Sequence, residues 1–121
     1  MSRADGKSGE EAACRMLRRS GFKILERNYR GPRYEVDIVA REGDVLAFVE
    51  VKSRSAEVEE SGAYAVGPLK QSRIARAAEH YLLTHEDVQG DTCRFDVVLV
   101  EMAGVRRPRA RKLIRDAFRL G

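Results

Sequence analysis

A chain of 121 residues and 13.6 kDa, 43% of them hydrophobic and 35% charged, can build one modest core and little more. No run approaches the roughly 18 apolar residues of a membrane helix, and the first residues lack the apolar stretch of a secretory signal, so one cytoplasmic domain over residues 1–121 is expected, without a membrane partner. Apolar runs such as Val45 to Val51 exclude global disorder, and the net charge of +4 points towards an anionic partner rather than an acidic solvating chain.

Residues 9–20 read as a helix, with Ala13, Met16 and Leu17 at helical spacing, Ser8 as its N-cap and Gly21 as its stop. Phe22 to Tyr29 reads as a strand that Gly31-Pro32 breaks. Glu35 to Ala40 alternates, with Val36, Ile38 and Ala40 on one face and Glu35, Asp37 and Val39 on the other. Arg41-Glu42-Gly43-Asp44 is a hairpin turn into Val45–Lys52, an almost continuous apolar run suited to a central strand covered on both faces. Ser53 to Gly67 is a long polar loop with acids at Glu57, Glu59 and Glu60. Pro68 to Thr84 is a helix with an apolar stripe of Ile74, Ala77, Ala78 and Tyr81. Cys93 to Glu101 is a strand in which Phe95, Val97 and Leu99 alternate with Asp96, Val98 and Val100. Leu113 to Leu120 suits a final helical turn or two. Helix, three strands, helix, strand gives an α/β domain with a mixed sheet and helices packed on it.

The basic charge concentrates at the end. Residues 105–121 carry seven bases and one acid, a net of +6, against 16 bases and 18 acids before them. Such a segment, with Arg106, Arg107, Arg109 and Arg111 at its start, suits a polyanion or serves as a solvated tail. Cys14 and Cys93 form no CxxC pattern and read as reduced packing residues. His80 and His85 are five apart, which does not put two imidazoles on one helical face for zinc.

The chemistry centres on Glu50-Val51-Lys52 at the end of the apolar run. A strand's period of two puts Glu50 and Lys52 on one face, following Leu46 and Phe48. An unpaired charge buried there costs several kcal/mol in practice, roughly enough to demand a partner or a metal, unless the strand end simply reaches solvent. Asp37 lies on the neighbouring strand of a tight hairpin and can sit beside Glu50. Two carboxylates about 4 Å apart repel by about 4 kcal/mol at an effective dielectric of 20. A divalent cation between them removes that cost, and Mg²⁺ (or Mn²⁺) is the natural choice because it takes oxygen ligands and keeps several waters. Lys52 then stands where an ammonium meets a phosphate oxygen or orients a water, the equipment of metal-assisted phosphodiester hydrolysis. Glu10 lies beside the apolar stripe of the first helix, where it either joins this site or merely complements the helix dipole, while Glu11 faces Arg15. Glu35 shares a face with Asp37 as a ligand, a group supporting one, or a surface residue. Lys70, Arg73 and Arg76 step along the second helix as a phosphate track or a solvated face, and Arg94 and Asp96 suit a structural ion pair.

Taken in order, several segments resemble the PD-(D/E)xK, restriction-endonuclease-like nuclease superfamily, and within it the small bacterial YraN-like family. They are Gly9-Glu10-Glu11-Ala12, residues 24–30 (Ile-Leu-Glu-Arg-Asn-Tyr-Arg), Glu35-Val36-Asp37-Ile38-Val39-Ala40, Phe48-Val49-Glu50-Val51-Lys52-Ser53-Arg54, Lys70 with Arg73, and Arg94-Phe95-Asp96-Val97-Val98. Ala117-Phe118 near the end also fits, and the set covers most of the chain. The resemblance implies an αβββαβ core and kinship with archaeal Holliday-junction resolvases. It implies that Asp37 and Glu50 bind the metal, that Lys52 assists the water, and that Glu10 completes the acidic cluster. One position departs: Tyr34 stands where the family has glycine before its Glu-x-Asp pair.

The expected activity is Mg²⁺-dependent hydrolysis of DNA, branched or processed ends included, with Lys70, Arg73, Arg106, Arg107, Arg109 and Arg111 on the nucleic acid. The alternative is an accessory module that binds nucleic acid on the same fold without catalysis. A branched substrate would favour a homodimer, because two cuts need two sites.

Overall fold

The computed structural model describes residues 3–53, 66–88, 92–101 and 108–119. Helix α1 (Arg3–Arg19) leads into strands β1 (Lys23–Gly31), β2 (Tyr34–Glu42) and β3 (Val45–Ser53). Helix α2 (Pro68–Thr84), a short 3₁₀ turn (Glu86–Val88) and strands β4 (Thr92–Glu101) and β5 (Arg109–Phe118) follow. The five strands form one sheet in the order β1-β2-β3-β4-β5. Only β3 and β4 run parallel, and α2 is the crossover between them that parallel neighbours require. This mixed sheet between two helices is consistent with a restriction-endonuclease-like core. Among the described residues no helix is long and apolar enough to cross a membrane.

The sheet buries both faces. On one, Ile74, Ala77, Ala78 and Tyr81 of α2 pack with Val39, Leu46, Phe48, Val97 and Leu99. On the other, Ala13, Cys14 and Leu17 of α1 pack with Ile38, Ala40, Ala47, Val49, Val98 and Val100. The consecutive apolar residues of β3 thus serve two cores at once, as its sequence predicts for a central strand. Helix α1 ends in a Schellman motif: the Phe22 N–H donates to the Leu17 carbonyl at 2.9 Å and the Gly21 N–H to that of Arg18 at 3.1 Å. Gly21 supplies the required φ of +96°, and Phe22 and Leu17 share one core. The hairpin between β2 and β3 turns on Gly43-Asp44, with Gly43 at φ +61°.

Several expectations need correction. Helix α1 starts at Arg3, so Ser8 lies inside it and is not its cap. Val36 does not share a face with Ile38 and Ala40. It packs with its cross-strand partner Tyr29 under α2, while Arg27 and Asn28, the latter at φ +54°, both reach Glu10 on α1. The last segment is strand β5, not helix: it pairs antiparallel with β4, with Asp116 at φ +55°. Cys14 is buried as expected, but Cys93 is exposed. Most of the loop after Ser53 with its three acids, and Arg54, Arg106 and Arg107, lie outside the described residues.

Candidate active site

The site forms where β2 and β3 stop pairing. Their ladder runs from Glu42↔Val45 to Ile38↔Val49, and the next step would set Asp37 opposite Glu50. There the strands part, and the Asp37 carboxylate takes over the ladder's role: Val51 N–H donates to its Oδ2 at 2.8 Å. The bond ties the side chain to the strand that carries Glu50. Burial raises the Asp37 pKa; the Val51 N–H and the Lys70 ammonium only partly oppose it.

Glu50 is 8% exposed, and its Oε2 is buried with no hydrogen-bond partner among the described residues. Lys70 Nζ is 3.8 Å from this oxygen, beyond hydrogen-bond reach. Burial first, then the Asp37 charge, pushes the Glu50 pKa from 4.5 to about 7, with Lys70 and Lys52 pulling the other way. Lys52 is half-buried two residues along the same face of β3. Lys70 reaches from the first turn of α2 and donates to Glu35 Oε1 at 3.1 Å. Burial depresses the Lys70 pKa, but Glu50, Glu35 and Asp37 outweigh it and the net shift is upward.

Glu10 enters from α1. Only 7% exposed, its Oε1 accepts from Arg27 Nε at 3.1 Å and Asn28 Nδ2 at 3.0 Å, and its charge acts on Asp37. The same guanidinium holds Glu11 at 2.8 Å, so the main partner of Glu11 is Arg27 across the fold, with the expected Arg15 a lesser influence on its charge. Two helices and two strands therefore converge Glu10, Glu35, Asp37, Glu50, Lys52 and Lys70 on one end of the sheet. Sequence reasoning placed Lys70 on a phosphate track; here it is the counter-charge of the carboxylates. Arg27 and the Val51 N–H were not foreseen, and no local pattern signals them, since their partners are 14–17 residues away.

Arg73 and Arg76 line a cleft beside this site together with Arg30, Arg33, Tyr34 and Glu35. Arg94 and Asp96 are the expected structural pair: Nε and Nη2 each reach a carboxylate oxygen at 2.8 Å, and Asp96 is fully buried. The basic strand β5 and the residue after it are partly neutralised, Arg111 by Glu101, Arg115 by Glu42 and Arg119 by Asp116. Arg109 is exposed at its start.

No group of three His, Cys, Asp or Glu side chains among the described residues is arranged to hold a metal unaided. Mg²⁺ does not need one: it is commonly held by one or two carboxylates and keeps its waters. Asp37 and Glu50 offer hard oxygens, and the orphaned Glu50 Oε2 leaves an acceptor that a cation would satisfy. The donor set fits.

Fold and site define an α/β protein whose restriction-endonuclease-like core carries an acidic pair, half-buried Asp37 beside buried Glu50, at the end of its central strands. The chain belongs to Uncharacterised protein family UPF0102, whose profile matches residues 9–100 and which is the YraN-like family. It is similar to a UPF0102 protein of Syntrophus aciditrophicus, 44% identical over 117 residues, 95% of this chain and 88% of the relative. It is also similar to UPF0102 proteins of Symbiobacterium thermophilum, 44% identical with 98% of each chain covered, and of Moorella thermoacetica, 40% identical with 96% of each covered.

Proposed function

We propose that this chain is a metal-dependent nuclease of the PD-(D/E)xK superfamily, acting in the cytoplasm on phosphodiester bonds in DNA, branched or processed ends included. The observation that carries this reading is the pairing of half-buried Asp37 with buried Glu50, whose Oε2 lacks a donor among the described residues. Asp37 and Glu50 would hold Mg²⁺ or Mn²⁺, with Glu10 completing the acidic cluster and Glu35 supporting it. A bound divalent cation supplies charge neutralisation at the phosphate and activation of the attacking water. The Val51 N–H fixes the Asp37 carboxylate. Arg27 and Asn28 hold Glu10 in place, adding negative charge beside Asp37. Lys52, on the face of Glu50, orients the water or meets a phosphate oxygen. Lys70 balances Glu35 and Glu50, while Arg73 and the basic residues Arg106, Arg107, Arg109 and Arg111 meet the DNA backbone. Cutting both strands of a junction would take a homodimer.

Calorimetric titration of Mg²⁺ and Mn²⁺ tests the site. Binding to the wild type, lost in Asp37→Ala and in Glu50→Ala, is expected, together with metal-dependent cleavage of linear, flapped or four-way DNA that both variants abolish. Lys52→Ala should lower turnover more than DNA affinity. Cleavage at the wild-type rate in both carboxylate variants refutes the reading. Salt-sensitive DNA binding that survives Asp37→Ala, with no cleavage by the wild type, identifies the accessory module instead.

A further inference from the structure

Among the described residues, arginines open to an anion gather around the turn between β1 and β2. On β5 and just beyond it, three arginines already have acidic partners. The cleft of about 610 Å³ between that turn and α2 has four arginines, Arg30, Arg33, Arg73 and Arg76, against one carboxylate, Glu35. Among the described residues Arg33, Arg73 and Arg76 have no ion pair, and Arg30 reaches Glu35 only at 3.7 Å. Glu35 is further occupied by Lys70, whose ammonium also faces Glu50. Glu35, in the lining of the cleft, thus connects it through Lys70 to Glu50.

Its wall is the ring of Tyr34. The ring lies over Gly31, where any Cβ would overlap it, and His80 and Tyr29 brace it at centroid distances of 5.3 and 6.4 Å. A fixed aromatic ring among guanidiniums is the combination that binds an unpaired nucleotide, base on ring and phosphates on arginines. A duplex keeps its bases stacked inside and offers only its backbone to such a wall. The volume also falls in the range of roughly 300–1,000 Å³ that encloses small organic ligands.

We propose that this cleft binds an unpaired nucleic-acid strand, Tyr34 taking a base and Arg33, Arg73 and Arg76 its phosphates, and so selects single-stranded segments for the site beside it. Binding in the cleft stands on its own geometry; the selection of what is cut rests on the nuclease reading above.

Fluorescence anisotropy of a labelled oligothymidine and of a duplex of equal length, in EDTA so that nothing is cut, tests this. The single strand should bind more tightly. Replacing both arginines, Arg73→Ala with Arg76→Ala, should reduce the slope of log affinity against log salt for the single strand by about 1.4, or about 0.7 per phosphate lost. Tyr34→Leu should weaken single-strand binding about fivefold or more and leave duplex binding unchanged. Gly31→Ala should do the same by displacing the ring while keeping it, since only the far end of the Tyr34 side chain must move. Unchanged urea midpoints establish that the variants fold. Equal or tighter duplex binding, or an unchanged salt slope in the double variant, overturns the proposal. Single-strand binding with no cleavage in Mg²⁺ refutes the nuclease reading alone; cleavage without single-strand preference refutes the cleft alone.

Discussion

Replacing Glu50 by a side chain that cannot ionise should stabilise the protein at alkaline pH. The shift of its pKa from 4.5 to about 7 corresponds to about 3 kcal/mol between folded and unfolded states. The folded chain holds this proton more tightly than the unfolded chain does. Its contribution is therefore intact below pH 4.5 and is lost as pH rises from 4.5 to about 7, where the folded protein must carry a buried charge. Glu50→Gln cannot ionise. At pH 8 the variant should be more stable by about 1–3 kcal/mol, the lower figure allowing for the lost attraction to Lys70 and for an amide that must find partners. In urea that is a midpoint about 1 M higher; at pH 4.5 the two midpoints should nearly coincide. Mg²⁺ at ten times its dissociation constant should stabilise the wild type at pH 8 by about 1.4 kcal/mol and leave the variant unmoved. Equal midpoints at pH 8, or a variant that gains only at low pH, would refute the assignment of Glu50 as a buried charge awaiting a cation.

Further outcomes follow from neighbouring contacts. Asp37→Asn keeps an oxygen for the Val51 N–H, so it should hold the urea midpoint at or above wild type while calorimetry shows no Mg²⁺ heat. Arg94→Ala strands the fully buried Asp96 without its guanidinium and should cost about 3–5 kcal/mol in urea denaturation; Arg94→Lys, lacking the two-pronged geometry, should recover little of it. Leu17→Ala removes a fully buried side chain that seats α1 on the sheet and should cost about 2–5 kcal/mol by the same measurement. Arg115→Ala, a half-exposed pair with Glu42, should cost under about 1 kcal/mol.

Much of the fold was legible because it rests on local periodicity. The stripe Ile74, Ala77, Ala78, Tyr81 and the alternation through Val97 and Leu99 are properties of a helix and a strand before either finds a neighbour. The unbroken run of β3 announced a strand covered on both sides, and Glu50 and Lys52 at its end marked charges that either demand a partner or reach solvent. Strand β5 was not legible. Leu113 and Ile114 serve opposite cores, with four bases, Asp116 and three apolar residues around them, a pattern that fits helix or strand until β4 supplies an edge to pair with. The left-handed conformation of Asn28 was likewise not legible, since its side chain donates to a helix residue 18 positions away.

By itself the sequence determined which segments are helix and strand over most of the chain, and that acids and a lysine cluster near the end of the central strand. The tertiary structure alone decided which charges meet. Lys70 with Glu35, Arg27 with Glu10 and Arg115 with Glu42 join residues 35, 17 and 73 positions apart. Such pairs depend on where the sheet brings its edges and helix ends, and electrostatic attraction acts through that space rather than along the chain.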